Sequence, residues 1–461
     1  MNTSRALVLG GGLAGVLAAH LLADHFSEVL VIERDTPAVG PVNRKGIPQG
    51  RHAHVLNAGG ARVLDTLLPG VVDDLVEAGA HRLGLPDRLV CHTSAGWMRR
   101  FPHHLSMVAS SRPLLDWTVL SRVMAAGKVQ VHNGHEVVGL IGDQSGVRGV
   151  RVRIRTSGRD AVIEADAVVD ATGRGSHTTD FLKELGFGPI QTQTVDSGTV
   201  YSTRVYQAPE GAEEFPMVTI QGQPRSGRPG MGALVLPVEG GRWMVTLSGT
   251  RGAEPPTDPE GFAAFARALP DPAVTRLIDA GEALTAPRGF RATANVRHRF
   301  DRARRWPAGF VAVGDAVARF NPVYGHGMSA AIRSVAILGT CLRRHGLDWN
   351  GARKAQRAIG RAFEQPWLVA TAQDVLYPNV VGARRPRTAK AWVWFFDRLT
   401  HVASGDPVVL NALLDAYSLS RSFAVLCAPR VLFAVARGPV RPALEDAPFS
   451  NAELRILHAR S

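Results

Sequence analysis

An α/β fold is predicted: a doubly wound unit built on a parallel sheet, a mainly antiparallel sheet inserted into it, and a C-terminal helical region. Three observations carry this. Residues 5–33 run from apolar segment through glycine turn and helix-like segment to a second apolar segment. Residues 199–206 and 242–247 alternate with period two, as half-buried strands do. Beyond Gly346 the pattern is helical, with breaks expected at Pro366, Pro378, Pro386, Pro407, Pro429 and Pro439. With 461 residues the chain is long enough for two or three packed units.

The elements follow in order. Residues 6–9 are continuously apolar, as expected of a parallel strand buried on both faces. Gly10, Gly12 and Gly15 then stand at G-x-G-x-x-G spacing. In this Rossmann-type fingerprint the first glycine makes the turn, the second lets a pyrophosphate approach the backbone, and the third lets the helix lie against the strand. A helix is predicted over 13–24, with Leu13 and Ala14 in the first turn, where free amides face phosphate. A second strand over 29–32 ends at Glu33, placed to accept ribose hydroxyls, with Arg34 beside it. The segment 167–175 is a strand ending in D-A-T-G, where Asp170 and Gly173 form a turn that can pass beside a ligand. The segment 309–316 delivers Gly314 and Asp315, and N-P-V-Y-G-H-G-M at 321–328 leads into a long helix. Asp315 suits ribityl hydroxyls, and the amides of Gly327 and Met328 suit the pyrimidine edge of a flavin, where a helix dipole favours negative charge.

Together these segments resemble the FAD-dependent monooxygenases of the para-hydroxybenzoate hydroxylase fold, over roughly residues 1–345. A narrower likeness rests on R-K-G-I-P-Q-G-R-H-A-H at 44–54, S-R-P-L-L-D-W at 111–117, and the segments 197–204, 239–243 and 321–328. These are similar to the flavin epoxidases of polyether-ionophore biosynthesis, which oxidise the alkenes of a linear polyketide polyene. The resemblance implies a Rossmann-type FAD-binding domain with an inserted substrate domain, and non-covalent FAD acting through a C4a-hydroperoxide formed with O2. It places Gly10, Gly12, Gly15 and Glu33 at the ADP half, Arg112 near the ribityl chain or pyrophosphate, and Asp315 on the ribityl chain. Pro322, Gly325, Gly327 and Met328 would line the isoalloxazine. Arg44 and Arg51 are candidate phosphate contacts, with solvated loop charge as the alternative. His52 and His326 are the candidate catalytic side chains and His54 a further polar group, with structural roles as the alternative.

One segment departs from the family pattern. Aromatic hydroxylases of this fold carry an Asp-Gly motif serving both FAD and NADPH, and D-A-T-G stands in that region here. Electrons from NAD(P)H therefore arrive directly or through a separate flavin reductase. Of the five tyrosines none forms a legible phenol-activating pair, which favours an apolar polyene substrate over a prenylated or aromatic ring. Hydroxylation of such a ring and FAD-dependent reduction of an isoprenoid stay open, as does a non-enzymatic, membrane-associated binding role.

Domain limits are expected at 1–178 for the FAD-binding domain, completed by 300–345, with 85–104 joining the substrate domain of 179–299, and a helical region at 346–461. Net charge is +13 but the arginines are scattered without interleaved aromatics, so no nucleic-acid partner is expected. Cys91, Cys341 and Cys427 are too few and too distant for a disulfide framework, and no metal-ligand spacing occurs. No signal peptide and no stretch of about 20 apolar residues is present, so a cytoplasmic protein without membrane contact is expected. The aromatic run Trp392 to Phe396 is expected to pack the helical region on the core, with a lid or membrane-touching surface as the alternative.

Overall fold

The computed structural model describes residues 4–36, 39–382 and 389–458. At its centre is a five-stranded sheet in the order Phe310–Ala312, Ala167–Asp170, β1 (Arg5–Leu9), β2 (Glu28–Glu33), Gln130–Asn133, with every pair parallel. Leu9 pairs with both Ile32 and Asp170, and Asp170 with Ala312, so the four carboxyl ends fall on one edge. Ligands of open parallel sheets sit along such an edge. α1 (Leu13–Leu22) and the helix Gly327–His345 cover one face. The first ends two residues before the predicted stop. Three antiparallel strands, His135–Asp143, Gly146–Ile154 and Asp160–Glu164, connect Gln130–Asn133 to Ala167–Asp170.

The second large sheet has eight strands. It is antiparallel except where Met217–Ile220 runs parallel to Leu89–Thr93. Residues 89–97 thus belong to this sheet, whereas Leu105–Ser110 pairs with His54–Leu56 and His81–Leu85 in a separate three-stranded sheet. Along Arg242–Gly249 the alternation is strict. Trp243, Val245 and Leu247 pack under the helices Pro259–Arg267 and Ala273–Ala280, while Met244 faces the opposite core and Thr246 and Ser248 line a cavity.

The C-terminal region is helical through Trp349–Ala362, Glu364–Asp374, Ala389–Ala403, Pro407–Tyr417, Pro429–Arg437 and Asn451–His458. Pro407 and Pro429 occupy first helical positions, where a missing N–H costs nothing. Pro366 does not break its helix: the break falls at Phe363, and the proline lies in the next first turn. Pro386 lies outside the described residues. No helix among the described residues is long and apolar enough to cross a membrane.

Candidate active site

A cavity of about 1710 Å³ extends from the carboxyl edge of the parallel sheet, past the 321–328 loop and under the eight-stranded sheet, to the C-terminal helices. Pockets for a single small ligand occupy roughly 300–1,000 Å³, so there is room for a cofactor and a large second molecule.

The glycine turn is shaped by close approach at two positions and by open space at the third. Gly10 has φ +94°, and a Cβ there would lie 2.7 Å from the Ala171 carbonyl. A Cβ at Gly15 would lie 1.8 Å from the Gly10 carbonyl, so Gly15 seats the helix on the strand and does not itself line the cavity. A Cβ at Gly12 would meet nothing within 4 Å. Leu13 and Ala14 line the cavity beside it.

Glu33 lines the cavity, but both its oxygens are engaged. Oε2 accepts the Gly11 amide at 2.7 Å and Arg44 Nη2 at 2.9 Å, and Oε1 accepts the Asp35 amide at 2.9 Å. Arg44 also donates to the Gly11 carbonyl at 2.7 Å, and among the described residues its buried Nε has no partner. Arg34 is exposed at the cavity rim. Arg112 opens the helix Arg112–Ala125, held by Asp116 at 2.7 Å, and its side chain reaches the cavity. Gly173 turns with φ +67° beside Asp315. Asp315 lines the cavity, and no donor among the described residues bonds its carboxylate. Burial raises its pKa, opposed by the Arg174, Arg112 and Arg319 guanidiniums.

Pro322, Gly325, Gly327 and Met328 line the same cavity. Gly325 is left-handed at φ +65°, and a Cβ at Gly327 would meet nothing within 4 Å. Gly327 opens a 19-residue helix whose first amides lack intrahelical partners. His52 lines the cavity with Nδ1 2.7 Å from Thr203 Oγ1, and burial lowers its pKa to about 4. His54 Nδ1 bonds the His52 carbonyl, and burial, then the Arg112 charge, lowers its pKa to about 3.

Three expected contacts are placed elsewhere. Arg51 is exposed and lines a separate pocket of about 230 Å³, because the short 3-10 helix Pro48–Arg51 turns it outward. The Asp170 carboxylate is turned back into its own loop, accepting from Thr172, Ser176 and Thr178. His326 is fully buried and does not line the cavity. Its Nε2–H donates to the Tyr417 carbonyl at 2.8 Å, and burial lowers its pKa to about 4. It ties the loop to the C-terminal helices.

Further residues line the cavity. Gln49 is one, and among the described residues its buried Oε1 has no partner. Arg174 approaches from the D-A-T-G-R turn. The aromatic helix forms the outer wall: Phe395 and Phe396 pack on the core, Trp394 is 66% exposed, and Trp392, 60% exposed, stands at the mouth. Among the described residues no group of three or more His, Cys, Asp or Glu side chains is placed to hold a metal ion.

With this geometry in hand, known proteins align consistently. A family model described as an FAD binding domain matches residues 3–351. Protein Rv3254 of Mycobacterium tuberculosis is 30% identical over 433 residues, covering 90% of this chain and 89% of its own. Kynurenine 3-monooxygenase of Salinispora arenicola is 27% identical over 356 residues, 74% of this chain and 73% of its own. Among solved structures, the flavin-dependent brominase Bmp2 superposes with TM-score 0.64 at 15% identity, over 90% of this chain and 94% of that one. PqsL, a probable FAD-dependent monooxygenase from Pseudomonas aeruginosa, gives 0.62 at 16%, over 85% and 100%.

The chain therefore belongs to the FAD-binding-domain family, and it is an FAD-dependent monooxygenase of the para-hydroxybenzoate hydroxylase fold. The residues fit that cofactor. Open space at Gly12 and Gly327, and, among the described residues, the unpartnered Arg44 Nε and the unbonded Asp315 carboxylate fall along one cavity.

Proposed function

We propose that the protein epoxidises one or more alkenes of a polyketide or isoprenoid natural-product intermediate. The observation that supports this best is the character of the cavity beyond the 321–328 loop. Met98, Met107, Met217, Leu234, Leu410 and Phe396 line it, and two charged side chains that also line it, Arg225 and Asp397, pair with each other. Such walls suit a long hydrocarbon chain, which offers few groups to hydrogen-bond. When bound, FAD supplies the two-electron chemistry that activates O2. The balance is alkene, O2, NAD(P)H and a proton giving epoxide, water and NAD(P)+, with reduction direct or through a flavin reductase.

This chain's own residues bind, orient and exclude water. Arg44 and the Gly12 amide region would hold the diphosphate, Asp315 the ribityl hydroxyls, and the amides of Gly327 and Met328 the ring edge, where a helix dipole favours negative charge. The walls keep water from the reacting oxygen. Epoxidation needs no side-chain base, and the Tyr201 and Tyr324 hydroxyls already have partners: Tyr201 donates to Asn321 and Tyr324 to Asp374. His52 is neutral near pH 7, since its pKa lies at about 4.

The kynurenine 3-monooxygenase relatives favour a second reading, hydroxylation of an aromatic or prenylated ring in the same cavity. Turnover under 18O2 of candidate polyenes and arenes, with NAD(P)H alone and with an added flavin reductase, decides between them. Epoxidation adds one labelled oxygen per alkene and none from labelled water. Label confined to a ring hydroxyl selects the second reading, and a product that gains hydrogen under anaerobic conditions defeats both.

A further inference from the structure

The helix Glu364–Asp374 lies beyond the family match, which ends at residue 351, yet it sends a carboxylate to the 321–328 loop. Asp374, the last residue of Glu364–Asp374, is 1% exposed. Its Oδ2 accepts Asn295 Nδ2 at 2.6 Å and Asn321 Nδ2 at 3.2 Å. Its Oδ1 accepts the Tyr324 hydroxyl at 2.7 Å and Asn321 Nδ2 at 3.3 Å. Asn321 closes the network: its Oδ1 accepts the Tyr201 hydroxyl at 2.6 Å and the Val323 amide at 3.3 Å, and its own amide donates to Asn295 Oδ1 at 2.7 Å.

Two features set this apart from ordinary core packing. Among the described residues no cation pairs with Asp374, so amide and hydroxyl donors alone satisfy it. Burial raises its pKa, and the hydrogen bonds from Tyr324, Asn321 and Asn295 oppose that rise. Donors on both oxygens suit the ionised, acceptor-only form. The donors are also placed with purpose. Asn321 caps the short 3-10 helix Pro322–Tyr324, through its hydrogen bond from the Val323 amide, and Tyr324 ends it. Pro322, Tyr324, Gly325 and Gly327 line the cavity. His326, in the same loop, is tied separately to the Tyr417 carbonyl of another C-terminal helix.

We infer that Asp374 is a positioning residue of the cofactor site: through Asn321 and Tyr324 it sets the 321–328 loop against FAD, so that the C-terminal helices and the cofactor order each other. The coupling is reciprocal: what FAD gains from the seated helix returns as protection of that helix. The inference rests on the FAD site alone, and its readouts involve no turnover, so a wrong substrate class leaves them unchanged.

Two variants test it. Asp374→Asn keeps the shape but sets an amide N–H against amide donors. Tyr324→Phe removes only the loop's hydroxyl. The Kd for FAD should rise about 10- to 100-fold in Asp374→Asn and about 3- to 10-fold in Tyr324→Phe. In the native protein FAD should slow amide exchange over residues 364–377, and both variants should lose most of that effect. Removing a buried negative charge should also make the flavin midpoint potential of Asp374→Asn more positive. An unchanged Kd and unchanged FAD-dependent protection would overturn the inference and leave Asp374 a packing residue. If Asp374→Asn does not fold, Tyr324→Phe decides by the same two readouts.

Discussion

Substituting alanine at two glycines of the same turn should give opposite outcomes. Gly12 has φ −78° and ψ −179°, which alanine adopts freely, and its Cβ would meet nothing within 4 Å. As the N-cap of α1 it would lose about 0.5–1 kcal/mol on becoming alanine. Reduced freedom of the unfolded chain returns about 0.4–1 kcal/mol. The apo protein should thus keep its stability within about 1 kcal/mol, while the methyl occupies the place where a diphosphate meets the backbone. FAD affinity should fall on the order of 100-fold, ~2.7 kcal/mol. At Gly15 the Cβ would lie 1.8 Å from the Gly10 carbonyl and 3.4 Å from the Ala171 Cβ. The helix would have to lift off the central strand by more than about 1 Å, and overpacking of a rigid site costs roughly 1–3 kcal/mol or more. Urea unfolding of the apo proteins and FAD titration by flavin fluorescence separate the two effects. If Gly12→Ala binds FAD as tightly as the native protein, the diphosphate does not cross at Gly12. If it destabilises the apo fold as much as Gly15→Ala, the open space is not a ligand's berth.

Two further outcomes are expected. Asp315→Ala removes a charged acceptor worth roughly 1.5–3 kcal/mol, so the Kd for FAD should rise about 10- to 100-fold with the fold retained; an unchanged Kd by fluorescence titration would remove Asp315 from the cofactor site. Acid should destabilise the apo protein through His52 and His326, whose folded pKa values of about 4 lie below the ordinary 6.5. Their contribution is complete above pH 6.5 and is lost as pH falls toward about 4. At pH 5 the loss is roughly 2 kcal/mol per imidazole. Asp315 and Asp374, with raised pKa values, act in the opposite sense. The readout is therefore the slope of stability against pH in His326→Gln, which should flatten by about one proton in that window; an unaltered slope would mean that His326 is charged in the fold.

The cofactor edge was legible because local backbone demands shape it. Continuous apolar runs must be buried, and a Cβ at Gly10 or Gly15 would strike backbone, so the glycine spacing reads directly as geometry. Side-chain direction was less legible. Asp170 ends a strand that faces the ligand edge, yet three hydroxyls of its own loop claim its carboxylate. Glu33 ends its strand as expected, but its partner Arg44 arrives from a loop 11 residues on. His326 sits in the loop motif and still points at Tyr417. The least legible part was the C-terminal contribution. Asp374 and Leu410 reach the site only because separate helices pack against two sheets, and such long-range packing leaves no motif or period in the local sequence.

The two faces of the eight-stranded sheet have a consequence for how the enzyme can change. Thr219, Leu234 and Ser248 look into the cavity, while neighbours such as Val218, Val235 and Leu247 are locked under the helices behind. Variation on the inner face can redraw the chamber without disturbing the outer one, so substrate range and folding can drift independently across generations. A descendant acting on a shorter, longer or branched chain is then a few front-face exchanges away, and a library restricted to those positions should yield altered products from proteins that still melt like their parent.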